Sequence, residues 1–130
     1  HAPLAPSWGY ENRTVAIRVP ADAPAATRIE HRVAGADGHP HLVIAAILAG
    51  MLYGIENELE APEPLDGNAY EQLPPSLPRY WPDALARFEK SDYIRETFGE
   101  EFQKVFSILK QQELDEFDRQ ITLLEYDACL

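Results

Sequence analysis

An apolar run of twelve residues, 42–53, sets the strongest limit on the fold because it contains no charged side chain. A helix that crosses a bilayer needs about 20 apolar residues, so this run is too short to span a membrane. A helix that is apolar on every side is typical of a protein core. The run therefore predicts a buried helix over residues 41–59, and Pro40 suits its first turn.

Small residues recur at every fourth position of this predicted helix, at Ala46, Gly50 and Gly54. Such spacing lets a second backbone come close to a helix, in membranes as well as in soluble cores. Because no segment is long enough to span a membrane, we interpret the small residues as a sign of close packing in the core.

Two segments before the helix alternate between apolar and polar residues, as strands do when one face is buried. Residues 14–20 place Val15, Ile17 and Val19 on one face, and residues 28–33 continue the same alternation. Gly35 and Pro40 then interrupt the pattern. We predict that the two segments form a β-hairpin with one apolar face and one charged face.

The remainder of the chain predicts a loop and three further helices. Residues 60–82 contain six of the eleven prolines and predict a long loop. Residues 83–90 predict a short helix, and Ser91 can cap another that ends at Phe98, before Gly99. Residues 100–126 carry apolar side chains at three- and four-residue steps, which predicts a long amphipathic helix. The predicted fold class is α+β, a β-hairpin from a larger sheet followed by a helical region.

The charge distribution opposes two classes of partner. The net charge is −11, and residues 1–40 are balanced, so that residues 41–130 carry the whole excess. Nucleic acid is bound by neutralising phosphates with basic side chains, and anionic membranes attract basic segments. We therefore expect neither nucleic acid nor membrane as a partner. The single cysteine, Cys129, excludes an internal disulfide and is consistent with a cytoplasmic location.

Four arginines lie within twenty residues, at Arg13, Arg18, Arg28 and Arg32. The planar guanidinium can bind a carboxylate or phosphate through two parallel hydrogen bonds. Arg28, Glu30 and Arg32 share one face of the second predicted strand. The pattern allows two interpretations: surface ion pairs without a function, or an anion clamp in which Glu30 is an oxygen ligand for a divalent metal.

Several motifs in this chain occur in a familiar order and at familiar separations. They are APSWGY at 5–10, NRT at 12–14, IRVP at 17–20, RIEHR at 28–32, PHL at 40–42 and GIEN at 54–57. Together they resemble the C-terminal part of the catalytic domain of the glutamine synthetase family. The variants WGY and EHRVAG are most similar to the branch that includes γ-glutamylputrescine synthetases. One departure is His39-Pro40-His41, where the family commonly has Asn-Pro-Tyr.

The resemblance implies a role for five residues. Arg13 and Arg18 resemble the arginines that hold the phosphates of ATP and the phosphoryl group in transfer, so that they are both catalytic and nucleotide-binding. Arg28 resembles a further nucleotide-side arginine. Glu30 resembles a carboxylate ligand of the Mg²⁺ or Mn²⁺ that bridges the phosphates. Arg32 resembles the catalytic arginine that binds the α-carboxylate of glutamate or the acyl phosphate.

The resemblance also implies an activity for the whole protein. Members of the family use ATP to join glutamate to ammonia or an amine through γ-glutamyl phosphate, and they assemble as large homo-oligomeric rings. Residues 1–130 would then be one part of a longer catalytic domain, inactive when isolated because the other metal ligands lie upstream. The alternative is a non-catalytic assembly or binding module derived from such an enzyme.

Overall fold

The computed structural model describes residues 2–20 and 23–129. The chain forms two compact units, His1–Leu77 and Pro78–Leu130. A small sheet and a long helix make up most of the first unit, and the second is helical. The architecture is α+β, which confirms the predicted class. None of the described helices is long and apolar enough to cross a membrane.

Three short strands form the sheet in the order β1-β2-β3. They are β1 Trp8–Tyr10, β2 Ile17–Val19 and β3 Glu30–His31. β2 and β3 are antiparallel, which confirms the predicted pairing, although both strands are shorter than expected. β1 runs parallel to β2 and was not predicted. A 3₁₀ helix, Pro24–Ala26, lies in the connection between β2 and β3, and residues 21 and 22 of that connection lie outside the described part.

The core of the first unit lies beside the sheet. Val15 is completely buried, whereas Ile17 is 37% exposed, although the alternation placed both on one apolar face. The difference arises because Val15 belongs to the loop before β2, where the chain no longer has the two-residue period of a strand. Ala5, Ala16 and Pro20 are buried with Val15.

The segment that the prolines predict to be a loop packs against β1. The backbone N–H of Leu65 donates to the Trp8 carbonyl at 2.8 Å, and the Trp8 indole donates to the Pro62 carbonyl at 2.6 Å. A short helix, α2 Ala69–Gln72, follows and is capped by Asn68. The prediction of an uninterrupted loop over 60–82 is therefore wrong: the Asn68 side chain accepts from the N–H of Tyr70 and lets a helical turn form.

Gly9 allows this close approach, since a Cβ at this position would lie 2.5 Å from the Leu65 carbonyl oxygen. We expect Gly9→Ala to destabilise the chain by about 1–3 kcal/mol, the usual cost of overpacking. Gly54→Ala is a matched control, because no described atom beyond its chain neighbours and the backbone of its own helix lies within 4 Å of a Cβ there. It should stabilise the chain by about 0.5–1 kcal/mol through helix propensity. Urea unfolding measures both changes, and equal stabilities for the two variants would contradict the packing of Leu65 on β1.

The apolar run forms helix α1, Pro40–Glu56, which begins one residue before the predicted start and ends three residues before the predicted end. The prediction that this helix is buried is wrong for this chain. None of its residues is buried, and Ile55 is 74% exposed. Close packing at Gly50 and Gly54 is likewise not observed among the described residues. The reason is that the first unit provides packing partners on one side of the helix only.

On that side α1 and the sheet enclose an apolar groove of about 610 Å³. Its lining includes Ile17, Ile29, Val43, Ala46, Ile47 and Gly50. Exposed apolar area of this kind on a soluble protein usually marks a contact surface.

We expect the isolated chain to self-associate despite its net charge of −11. Exposed apolar side chains on α1, including Leu48 and Ile55, would be removed from water by association. Sedimentation over a range of concentrations measures this, and Leu48→Lys should shift the distribution toward monomer. A clean monomer at high concentration that binds no hydrophobic dye would contradict the expectation.

The described residues of the second unit form four helices, one more than expected, because the predicted long helix is divided in two. They are α3 Trp81–Lys90, α4 Asp92–Phe98, α5 Glu100–Asp118 and α6 Leu123–Cys129. α3 begins two residues earlier than predicted. The cap at Ser91 is confirmed, since its hydroxyl accepts from the N–H of Ile94 at 3.2 Å. Gly99 has a φ of 89°, which suits its predicted place at the end of α4.

One continuous helix over 100–126 was predicted, and this is wrong. The hydroxyl of Thr122 accepts from the N–H of Glu125 at 3.2 Å, and the Glu125 carboxylate accepts from the N–H of Thr122 at 2.8 Å. This reciprocal pair is a capping box, which starts a new helix. It also lowers the pKa of Glu125. The amphipathic stripe is only partly buried: Leu114 is in the core, while Leu109 and Phe117 are exposed.

Candidate functional site

The five residues that the sequence singles out all lie in the first unit, on the sheet or next to it. Arg18 is the middle residue of β2, with Gly9 of β1 on one side and Glu30 of β3 on the other. Arg28 and Arg32 flank β3, and Arg13 lies in the loop between β1 and β2. The sheet pairing thus brings residues that are far apart in sequence within reach of one another.

Four side chains form a continuous row of alternating charge. The guanidinium of Arg18 donates from Nη1 to Glu30 Oε2 at 2.9 Å and from Nη2 to the carboxylate of Glu11. Arg28 Nη2 donates to the other carboxylate oxygen of Glu30, at 2.8 Å. The formal charges of Glu11, Arg18, Glu30 and Arg28 cancel. The ion pairs of the first interpretation are therefore present, although Arg18 is only 15% exposed and is not an ordinary surface residue.

The ion pairs of this row favour the charged forms of the Glu30 carboxylate and the Arg18 guanidinium. The hydrogen bond from Arg18 lowers the pKa of Glu30, the bond from Arg28 adds to this, and partial desolvation opposes it. The pKa of Arg18 is raised, first by its bond to Glu11 and then by its bond to Glu30. Because its pKa is depressed, Glu30 stays ionised as the pH falls below the usual range of a glutamate. The ionised carboxylate is the form that can bind a metal.

Arg32 is separate from this row and is tied to the loop that carries Arg13. Its Nη2 donates to the backbone carbonyl of Arg13 at 2.8 Å, and its N–H donates to the Ala16 carbonyl at 2.9 Å. The buried Nε atoms of Arg32 and Arg18 have no hydrogen-bond partner in the described part of the chain. The structure thus joins Arg28, Glu30 and Arg18 in one group, and Arg32 and Arg13 in a second.

The loop around Arg13 is held by its two neighbours, whose contacts sequence reasoning missed. Asn12 Oδ1 accepts from the N–H of Thr14 at 2.9 Å, and Asn12 Nδ2 donates to the Gly67 carbonyl at 2.8 Å. The Thr14 hydroxyl accepts from the N–H of Ala69 at 2.9 Å. An asparagine side chain that accepts from the N–H two residues further along the chain is typical of an Asx turn. The asparagine at position 12 was a local signal for this turn in the sequence.

The donor set fits a divalent metal only in part. Glu30 is a hard oxygen ligand of the type that Mg²⁺ and Mn²⁺ prefer. Both of its oxygens accept from arginine, and no group of three or more possible metal ligands occurs among the residues that the structure describes. Among the five residues that the sequence singles out, Glu30 is the one carboxylate, so it is the one of them that can act as an oxygen ligand for a metal.

Comparison with known proteins places this chain in a family. The family model for the glutamine synthetase catalytic domain matches residues 1–129. The chain is 44% identical to γ-glutamylputrescine synthetase PuuA of Escherichia coli over 130 residues, all of this chain and 28% of that protein. It is 41% identical to a glutamate–isopropylamine ligase of a Pseudomonas species over 111 residues, 83% of this chain and 24% of that protein.

A solved structure agrees with the sequence relatives. Apo GmaS without ligand superposes with a TM-score of 0.77 at 29% identity, and the match covers 95% of this chain and 29% of that one. The chain belongs to the glutamine synthetase catalytic-domain family. It spans less than a third of the length of these relatives.

Proposed function

We propose that this chain is the C-terminal part of the catalytic domain of an ATP-dependent ligase. The reaction joins the γ-carboxylate of glutamate to ammonia or an amine through γ-glutamyl phosphate. The observation that carries the proposal is the family match over residues 1–129, together with the arginines and the single carboxylate that the sheet brings together.

The arrangement suits a reaction between anions. A carboxylate that attacks a phosphate must approach other negative charges, so catalysis depends on positioning and on charge stabilisation. In the proposal Arg13, Arg18 and Arg28 bind the phosphates of ATP, and Arg32 binds glutamate or its acyl phosphate. The fixed loop around Arg13 supports this, because preorganised donors need no rearrangement when charge develops.

Glu30 is the proposed ligand for Mg²⁺ or Mn²⁺. A bound divalent cation supplies charge neutralisation where phosphate oxygens meet. The hydrogen bond from Arg18, and then that from Arg28, lower the pKa of Glu30, so its carboxylate stays in the ionised, metal-binding form as the pH falls below the usual range of a glutamate. The described residues hold no group of three possible metal ligands, so in this proposal further ligands come from other parts of the full-length protein.

An organic amine is a proposed acceptor besides ammonia. The two relatives described above are named for putrescine and isopropylamine, and they are 44% and 41% identical to this chain. Assembly of the full-length protein into homo-oligomeric rings in the cytoplasm is part of the same proposal.

The test is phosphate release by the full-length protein with Mg²⁺, ATP and glutamate, in the presence of ammonia, putrescine or isopropylamine. We expect release that requires both glutamate and one of these nitrogen compounds. Mass spectrometry of the product identifies the acceptor. Glutamate-independent hydrolysis of ATP with every compound would contradict the ligase.

The alternative function is an assembly or binding module without catalysis. The exposed apolar surface of α1 favours it, because such a surface is suited to contacts between subunits. The sequence upstream of these residues discriminates the two. Glutamate and histidine metal ligands there would support the ligase, and their loss would support the module.

A further inference from the structure

Glu11, which the sequence did not single out, shares Arg18 with Glu30. Its carboxylate accepts from Nη2 of Arg18, while Glu30 accepts from Nη1. The bond to Glu11 is also the first cause of the raised pKa of Arg18. One guanidinium therefore bridges two carboxylates, and only one of them, Glu30, is proposed to bind a metal.

The backbone holds Glu11 in this place. Its φ is 50°, in the left-handed region that residues other than glycine seldom adopt. Its N–H donates to the carbonyl of Val19 at 3.1 Å, next to Arg18 in β2. A strained residue persists only where its surroundings fix it, and such residues cluster at functional sites. The turn after β1 is thus fastened to β2 beside the guanidinium that the Glu11 side chain binds.

A cation that approaches Glu30 has to compete with Arg18 and Arg28 for the carboxylate oxygens. Arg18 is largely buried, so its guanidinium would lose a hydrogen bond that water could replace only in part. Glu11 supplies a second carboxylate to the same guanidinium. Arg18 can therefore release Glu30 and still keep a partner.

We propose that Glu11 is a positioning residue that retains Arg18 while Glu30 binds Mg²⁺ or Mn²⁺. This rests on the proposed function, which assigns Glu30 to the metal and Arg18 to the phosphates. Two opposite effects of Glu11→Gln follow. In the variant Arg18 binds Glu30 more strongly, and this weakens metal binding. The variant also removes one negative charge beside the proposed phosphate site, and this strengthens the binding of metal-free ATP.

The experiment uses the full-length protein and needs no turnover. Titration with Mn²⁺, followed by electron paramagnetic resonance, measures metal affinity, and calorimetry with ATP in the presence of chelator measures metal-free nucleotide affinity. We expect Glu11→Gln to lower the affinity for Mn²⁺ and to raise the affinity for metal-free ATP, each by about two- to fivefold. This is the range of energies that partly exposed ion pairs contribute. General damage to the fold would weaken both.

Glu58→Gln is the matched control. Glu58 also has a φ of 50°, is exposed, and forms no ion pair with the described residues. It should change neither affinity. Should Glu11→Gln not fold, Glu11→Asn removes the same charge and tolerates the left-handed conformation better.

Glu30→Gln separates the two proposals. Suppose that Glu30→Gln abolishes the binding of one Mn²⁺, whereas Glu11→Gln either changes neither affinity or weakens both. Glu11 then has no positioning role, and the ligase assignment stands. If Glu30→Gln leaves Mn²⁺ binding intact, the proposed metal role of Glu30 fails, and the role of Glu11 fails with it.

Discussion

Purified as an isolated chain, residues 1–130 should release no phosphate above background with Mg²⁺, ATP, glutamate and an amine, whereas the full-length protein should. The expected loss is complete, because the described residues provide one candidate metal ligand and no group of three. The chain also spans only 28% of PuuA. A catalytic site of this kind acts through the joint placement of all its charges, so a part of it does not retain a proportional part of the rate.

The control for this experiment is the same chain with Arg18→Ala. Residual phosphate release that persists in this variant comes from a contaminating ATPase. Release that requires glutamate and amine, and that disappears with Arg18→Ala, would show that the chain holds a complete site and would overturn the prediction.

Arg32→Lys in the full-length protein should lower kcat/KM for glutamate by roughly ten- to a hundredfold. Lysine keeps the charge but loses the planar fork. A charge-assisted hydrogen bond contributes about 1.5–3 kcal/mol, and about 1.4 kcal/mol corresponds to a tenfold change in rate. The apparent affinity for ATP should change much less. Arg13→Lys and Arg18→Lys should show the opposite bias, toward ATP.

The structure adds a competing explanation that the same data resolve. Arg32 donates to the carbonyl of Arg13, so it could act only by holding that loop. In that case Arg32→Lys would impair ATP and glutamate kinetics together. The exposed Arg79, in the second unit, provides the control Arg79→Lys, which should leave both unchanged. Wild-type glutamate kinetics in Arg32→Lys would show that Arg32 does not bind glutamate.

Elements with a strong local pattern were predictable from the sequence. The pairing of β2 with β3, the start of α1 at Pro40 and the cap at Ser91 depend on alternation, on a fixed φ and on one side-chain hydrogen bond. The break after α5 was missed although Thr122 and Glu125 have the spacing of a capping box. The apolar stripe continued across the break and outweighed that short signal.

Elements that depend on distant partners were not predictable. β1 forms because its backbone pairs with β2 on one side and with Leu65 on the other, and a three-residue segment has no period of its own. The exposure of α1 depends on what covers it, which is not encoded in the apolar run. The same limit applies to Glu11, since no spacing rule joins it to Arg18.

The sequence by itself determined the family, through motifs that contain arginines and a carboxylate, and these residue types suit the proposed binding of anions and a metal. Only the tertiary structure decided which of these residues touch. It placed Arg18 between Glu11 and Glu30, and it tied Arg32 to the loop of Arg13. The physical reason is that residue type fixes what a side chain can bind, whereas its actual partner is set by strand register and long-range backbone hydrogen bonds.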